Sequence, residues 1–317
     1  MSDNLQRINQ DDATSEPSTA RRGVEEEVLH WRQRGQYREL NGHKIFTMDE
    51  GDLDQPVIVL IHGFPTCSWD WLPLWQDLRQ NFRLISLDML GFGLSEKPDR
   101  RNYTIHGQAD LFESLLAELG IKKYHILAHD YGDTVAQELL ARQLEGKGVG
   151  QWLSGCFLNG GLFPETHRAL LTQKLLLSPL GALVNSFNGF GKFSKNFSHV
   201  FGPKTKPSEW ELQVFWRFIN ENNGKHLFHN LITYMRDRKQ HRQRWVEALQ
   251  NATMPLAVIN GSKDPVSGSH MVARYQQLEC RLDYLGEMAE IGHYPQVEAP
   301  DLVLTHYRNF LTQISAV

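Results

Sequence analysis

The stretch Y-H-I-L-A-H-D-Y-G-D, residues 124–133, decides the fold of this chain. Ile126, Leu127 and Ala128, with Tyr124 at the edge, read as the apolar run of a short buried strand. Ala128, His129, Asp130, Tyr131 and Gly132 then place small residues on either side of an acid. Val135, Ala136, Leu139 and Leu140 follow at once with helical spacing. Strand, sharp turn and helix with small neighbours form the context of a nucleophile elbow, where the backbone is strained at the reacting residue. The residue at the tip is Asp130. A serine alkoxide attacks carbonyls, whereas a carboxylate displaces a leaving group from saturated carbon and becomes an ester itself. An ordinary solvent-facing loop aspartate would not need that surrounding pattern.

Partners for Asp130 stand at other strand ends. V-I-V-L-I-H-G-F-P, residues 57–65, is a buried-strand run that closes on His62, Gly63, Phe64 and Pro65. A loop in that position supplies one oxyanion N–H, and the residue after the nucleophile supplies the other. The backbone N–H groups of Phe64 and Tyr131 are therefore the candidate oxyanion hole, with His62 and Pro65 as pocket candidates. P-L-A-V-I-N-G-S-K-D-P (255–265) ends an apolar run with Asp264, and E-I-G-H-Y-P (290–295) places His293 just past a strand-like run. Nucleophile, acid and histidine then follow in the chain order 130, 264, 293. Asp264 also suits a helix cap, with Pro265 at the first helical position. Asn159 ends the strand W-L-S-G-C-F-L and reaches the same pocket.

Longer strings carry a resemblance. D-M-L-G-F-G-L-S (88–95) and the H-G-F-P loop resemble the epoxide hydrolase and haloalkane dehalogenase branch of the α/β-hydrolases. H-D-Y-G-D-T-V-A-Q-E-L-L-A-R (129–142), N-G-G-L-F-P-E-T-H-R (159–168) and V-F-G-P-K-T-K-P-S-E (200–209) are closer still to the mesoderm-specific transcript protein family. The resemblance runs from about residue 40 to the C-terminus. It implies an α/β-hydrolase fold and a cofactor-independent hydrolase working through an aspartyl ester. Some dehalogenases of this branch keep their catalytic acid where this chain has Asn159, so the amide favours Asp264. Epoxide hydrolases of the branch protonate the ring oxygen with cap tyrosines, which singles out Tyr234, the one tyrosine between residues 162 and 250. The expected second tyrosine is absent, and His167 is the candidate to replace it. Haloalkane dehalogenases grip halide with a tryptophan after the nucleophile and an asparagine after H-G. Those positions hold Tyr131 and Phe64 here. Fluoroacetate dehalogenases keep arginines near the nucleophile, and none follows Asp130 until Arg142.

Composition sets outer bounds. The 317 residues suffice for one large α/β domain with an insertion, and the 41% hydrophobic and 10% aromatic content suffices for its core. A net charge of −4 argues against a nucleic-acid partner. Three scattered cysteines, Cys67, Cys156 and Cys280, fit neither a disulfide framework nor a zinc site. No apolar run approaches the roughly 20 residues of a membrane span, and the polar N-terminus has no signal core. A cytoplasmic protein with a small-molecule substrate is expected. Its oligomeric state is open.

Residues 1–22 read as a disordered tail. Residues 23–161 and 251–317 read as a mostly parallel sheet with helices on both faces, and 162–250 as an inserted helical cap. Strands are expected at 44–49, 57–61, 83–87, 124–128, 153–158, 256–260 and about 282–291. Thr104 or Asn102 suits the cap of a helix over 105–119, and Ser208 the start of another. G-F-G-K-F-S-K-N-F (189–197) reads as a flexible connector. Trp210 and Trp216 are pocket candidates that also suit a core. The basic run R-D-R-K-Q-H-R-Q-R (236–244) reads as a solvated helix face, with attraction of an anionic substrate or membrane surface as the sharper alternative. His226 and His229 share a helical spacing, but no ligand pattern accompanies them, so no metal is expected. The best functional reading is an epoxide hydrolase-like enzyme on a small or lipid-like substrate. The alternatives are a haloalkane dehalogenase-type enzyme and a non-turnover ligand- or lipid-associated protein on the same fold.

Overall fold

The computed structural model describes residues 22–99, 103–168, 171–178, 180–186 and 189–315. The expected tail, apart from Arg22, and the candidate cap Asn102 lie outside them.

Helix α1 (Val24–Arg34) leads into the hairpin β1 (Gln36–Leu40) and β2 (His43–Glu50). Then come β3 (Val57–Ile61), α2 (Leu72–Leu78), β4 (Arg83–Leu87), α3 (Ile105–Glu118), β5 (Lys123–His129), α4 (Tyr131–Leu144) and β6 (Gln151–Leu158). Helices α5 (Leu171–Leu176), α6 (Gly181–Ser186), α7 (Phe190–Val200), α8 (Glu209–Asn220), α9 (Phe228–Leu231), α10 (Tyr234–Gln240) and α11 (Arg242–Gln250) follow. The sheet resumes with β7 (Leu256–Gly261), α12 (Ser269–Gln277), β8 (Tyr284–Met288), α13 (Pro295–Glu298) and α14 (Pro300–Ser315).

Eight strands form one sheet in the order β1-β2-β4-β3-β5-β6-β7-β8. The β1–β2 and β2–β4 pairs are antiparallel, and every later pair is parallel. Strands β3, β4 and β7 are buried along their whole length, as expected of strands covered by helices on both faces. Each fully buried Val, Leu or Ile there contributes about 1.5–3 kcal/mol. The sheet is the one the sequence implies, with two local differences. Strand β1 was not anticipated, because Q-Y-R-E-L is an edge strand with only Leu40 buried and so lacks an apolar run. Residues 190–200 form helix α7 rather than a connector. Phe193, Phe197 and Val200 fall on its buried face, and this periodicity outweighs the two glycines at its start.

Both capping residues act as their chemistry dictates. The Thr104 side chain accepts the Gly107 N–H, and Ser208 forms a capping box with Glu211. Asp264 is not a helix cap, since α12 starts only at Ser269. Among the described residues no helix is long and apolar enough to cross a membrane.

Candidate active site

Five loops at the carboxyl ends of strands converge, as ligand sites do in sheets of this kind. Asp130 follows β5 with φ 49° and ψ −106°, a conformation costly for any residue with a side chain. Gly132 makes the turn possible. A Cβ there would lie 2.3 Å from the Ile61 carbonyl oxygen, so α4 starts against the end of β3 only because that position is glycine.

The turn aims the Asp130 carboxylate at the H-G-F-P loop, where Oδ2 accepts the Phe64 N–H at 3.0 Å. The other oxygen, Oδ1, is 3.7 Å from His293 Nε2 and 3.9 Å from Arg238 Nη2. Burial alone would raise the Asp130 pKa, but His293, Arg238 and the Phe64 N–H together hold it below the ordinary value. Asp130 is thus a buried carboxylate held as the anion. Asp133, one turn on, is the opposite case. Burial, and then the charge on Asp130, push its carboxyl well above the usual range, so it stays neutral.

His293 Nδ1 is 2.7 Å from Asp264 Oδ2. Asp264 is itself held on all sides. Its Oδ1 accepts the Val266 N–H, and its Oδ2 accepts from Asn159 Nδ2 and Ser267 Oγ. Burial disfavours the charged His293 ring, but Asp264, and after it Asp130, raise its pKa to about 9. The resting site therefore has an imidazolium between two carboxylates.

The supporting residues fix the loops rather than the chemistry. His129 Nε2 donates to the His293 carbonyl at 2.7 Å, and burial, aided by His293, lowers the His129 pKa to about 3, so the ring is neutral. Tyr294 donates its hydroxyl to the Phe64 carbonyl at 3.0 Å. Glu298 accepts N–H groups from Gly202, Gly292 and Tyr294, tying the loop after α7 to the loop of His293.

A cavity of about 300 Å³ opens over Asp130 and His293. Phe64, Pro65, Val266 and Tyr294 line it from the sheet side, and Leu176, Phe193, Phe197 and Phe228 from the inserted helices. Gln173, Lys192 and Asn196 are its polar lining. A larger polar recess of about 460 Å³, along α3 beside Asn41 and Ser114, includes none of these groups.

Several sequence-based candidates lie elsewhere. His62 is not on the cavity wall. Its Nε2 accepts the Met89 N–H and its Nδ1 donates to the Gly63 carbonyl, so it fastens two loops. Asn159 is not on the wall either, since both ends of its amide are used by Gly261 and Asp264. Trp210 donates to the Arg22 carbonyl and packs on Trp69, while Trp216 packs behind Phe193. Tyr234 is buried beside Phe64 and Tyr131, with centroids 6.1 and 4.8 Å away, and burial raises its phenol pKa. Neither it nor His167 is among the residues that line the cavity. His167 Nδ1 instead faces Arg238 Nη1 at 3.3 Å, and burial, then Arg238, lower its pKa to about 4.

Arg238 is what sequence reasoning missed. It belongs to the basic run read as a solvated face, yet it is 1% exposed. Its Nε donates to Thr134 Oγ1 at 2.7 Å, its Nη2 to the Asp130 carbonyl at 3.3 Å, and its guanidinium lies 4.5 Å over the Tyr234 ring. Its neighbours are engaged too: Arg242 pairs with Glu165 and Arg244 with Glu138. The run is therefore split: Arg236, Lys239, Gln240 and Gln243 face solvent, while Arg238, Arg242 and Arg244 pin α10 and α11 onto the core.

The α/β hydrolase fold family matches residues 56–300. The chain belongs to that family. This α/β-hydrolase is 40% identical over 294 residues to the mesoderm-specific transcript homolog protein of Homo sapiens, spanning 90% of this chain and 88% of that one. It is 28% identical over 285 residues to a cis-3-alkyl-4-alkyloxetan-2-one decarboxylase of Shewanella oneidensis, spanning 86% of each. The crystal structure of haloalkane dehalogenase DbeA from Bradyrhizobium elkani superposes with a TM-score of 0.75 at 21% identity, covering 89% of this hydrolase and 98% of that chain. That likeness speaks for the fold alone.

Removing the buried cation tests its effect on Asp130. Arg238→Gln should move the acid limb of the turnover profile to higher pH, because Asp130 loses a charge that favours its anion. Turnover near neutrality should fall about 100-fold, and Arg238→Lys should restore part of it. An unmoved acid limb would make Arg238 a packing residue.

Proposed function

We propose that this hydrolase opens a strained oxygen ring by nucleophilic attack of Asp130, through a covalent aspartyl ester, with an alkyl-substituted epoxide as the best-supported substrate class. The observation that carries this reading is the asymmetric hold on Asp130. The Phe64 N–H already occupies Oδ2, which leaves Oδ1 free to attack. Oδ1 bonds to a ring carbon as the ring C–O bond breaks. The new alkoxide needs a proton, and on the cavity wall the His293 imidazolium carries one. The neutral ring then takes a proton from water. Water attacks the Asp130 ester carbonyl carbon, and Oδ2, held by Phe64, becomes the oxyanion. Collapse breaks the ester carbonyl C–Oδ1 bond. The diol leaves with Oδ1, which takes the proton of the newly added hydroxyl, and Asp130 returns as the carboxylate beside protonated His293. Asp264 keeps the ring oriented through both steps. The inserted helices act as a cap that excludes water and supplies the apolar walls.

The relative named for an alkyl-substituted oxetan-2-one favours a second ring of the same kind, a four-membered cyclic ester. Halide displacement has less support. Tyr131, where halide-binding tryptophan stands in the dehalogenases, is buried against Phe92 and Tyr234. Little or no bromide release from simple bromoalkanes is expected.

Single turnover of styrene oxide in heavy-oxygen water tests the ester. Label should enter the peptide that carries Asp130, while the first diol formed keeps ordinary oxygen at the attacked carbon. Label found only in product would mean direct attack by water.

The two steps should respond to pH in opposite senses. Ring opening needs the Asp130 anion and the His293 cation, so its rate should fall as pH rises past about 9. In the ester the Asp130 charge is gone and the His293 pKa drops below that value. Hydrolysis needs the neutral ring, so its rate should fall as pH decreases through the lower pKa. Pre-steady-state measurement separates the two, and a ring-opening rate that climbs through pH 9 would remove His293 as proton donor.

A further inference from the structure

Helices α5 and α6 and the link between them turn large apolar side chains to the outside. Leu171, Leu175, Leu180 and Leu183 are 72%, 43%, 63% and 58% exposed, and they are half of the eight large hydrophobics so exposed among the described residues. Scattered single leucines need no explanation, but four within thirteen residues of sequence do. Leu175 also lines the cavity over Asp130, so the outer patch runs into the inner one.

Charge around the patch is one-sided. From residue 166 to residue 208 the sequence has no aspartate or glutamate and six lysines and arginines, in a chain whose net charge is −4. Lys174 on α5 and Lys192 and Lys195 on α7 are exposed, and Lys192 lines the cavity as well. Arg236, also exposed, reaches the end of α5 by donating to the Leu177 carbonyl. Exposed leucines interspersed with lysines, on a stretch of chain without acids, are what an anionic bilayer surface attracts. The leucines enter the acyl boundary, and the lysines meet the lipid head groups.

We propose that the face formed by α5, α6 and the start of α7 docks this hydrolase on an anionic membrane surface, so that apolar substrate enters the cavity beside Leu175 directly from lipid. The docking surface stands on its own observations; the delivery of substrate rests on the function proposed above.

Flotation with phosphatidylcholine vesicles, with and without phosphatidylserine, tests the surface. The protein should rise with the anionic vesicles, stay behind with the neutral ones, and detach as salt is added. Leu171→Gln, Leu180→Gln and Leu183→Gln combined should lower recovery with the vesicles about tenfold or more. Lys174→Gln with Lys195→Gln should remove the preference for phosphatidylserine. None of these five residues lines the cavity, so turnover of styrene oxide in solution should be unchanged in both variants, which also shows that they fold. Wild-type protein that turns over styrene oxide but ignores both vesicle types would overturn the docking proposal and leave the function standing. Vesicle binding without turnover of any strained-ring substrate would do the reverse. A dimer that the leucine changes dissolve, with no vesicle binding, would assign the face to a second copy of the chain and overturn the proposal.

Discussion

The Asp130→Asn variant should fold and bind but fail to turn over, with activity at least about 10⁴-fold below wild type, the scale set by removal of a covalent nucleophile. The change is nearly isosteric. Asparagine tolerates positive φ as well as aspartate does, so the elbow at φ 49° should survive. The amide oxygen can still accept the Phe64 N–H that now reaches Oδ2 at 3.0 Å. What disappears is the charge on the attacking atom. The loss has a second readout that does not need substrate. Asp130 is one of the groups that raise the His293 pKa to about 9, so titration of the ring by NMR should give a lower value in the variant. Residual activity above about a hundredth of wild type would rule out Asp130 as the nucleophile.

His293→Gln should separate the two halves of the reaction. Asp130 keeps its place at the Phe64 N–H, so ring opening should proceed, more slowly for want of the imidazolium proton. Hydrolysis should stop, because among the described residues no other group on the cavity wall stands at Oδ1 as a base. Steady-state turnover should fall about 10³-fold or more, while an adduct of substrate mass accumulates on the peptide carrying Asp130. Intact-mass measurement after incubation with styrene oxide reads it directly. Substrate that binds yet yields neither adduct nor diol would place His293 in the first step as an indispensable acid.

Legibility in the sequence followed distance along the chain. Asp130, Tyr131 and Gly132 declare themselves because strand, turn and helix are contiguous, and one small residue suffices to show that two backbones meet there. Asp264 and His293 are readable as ends of strand-like runs, and the geometry brings His293 to Asp130 Oδ1 and Asp264 to the other side of the His293 ring. Asn159 illustrates the limit. Its position at the end of β6 is legible, but whether its amide faces the cavity or Asp264 depends on β7, almost a hundred residues later. Arg238 was hidden for a stronger reason. Amid R-D-R-K-Q-H-R-Q-R nothing distinguishes the arginine that turns inward, since burial of a guanidinium requires partners, and these are Thr134, His167 and the Asp130 carbonyl on other elements. Helix α7 is obscured in the sequence by the glycines at its start, and only the burial of Phe193, Phe197 and Val200 shows that the apolar stripe prevails.

One feature of that arginine reaches further than its own contacts. Asp130 belongs to the loop that ends β5, but the guanidinium 3.9 Å from it belongs to α10, in the insertion between β6 and β7. The readiness of the carboxylate is therefore not a property of the core alone. Lifting α10 would withdraw a positive charge from beside Asp130 and let its carboxyl drift back toward protonation. The charge state of a residue rooted in the core is thus set partly by a side chain rooted in the insertion.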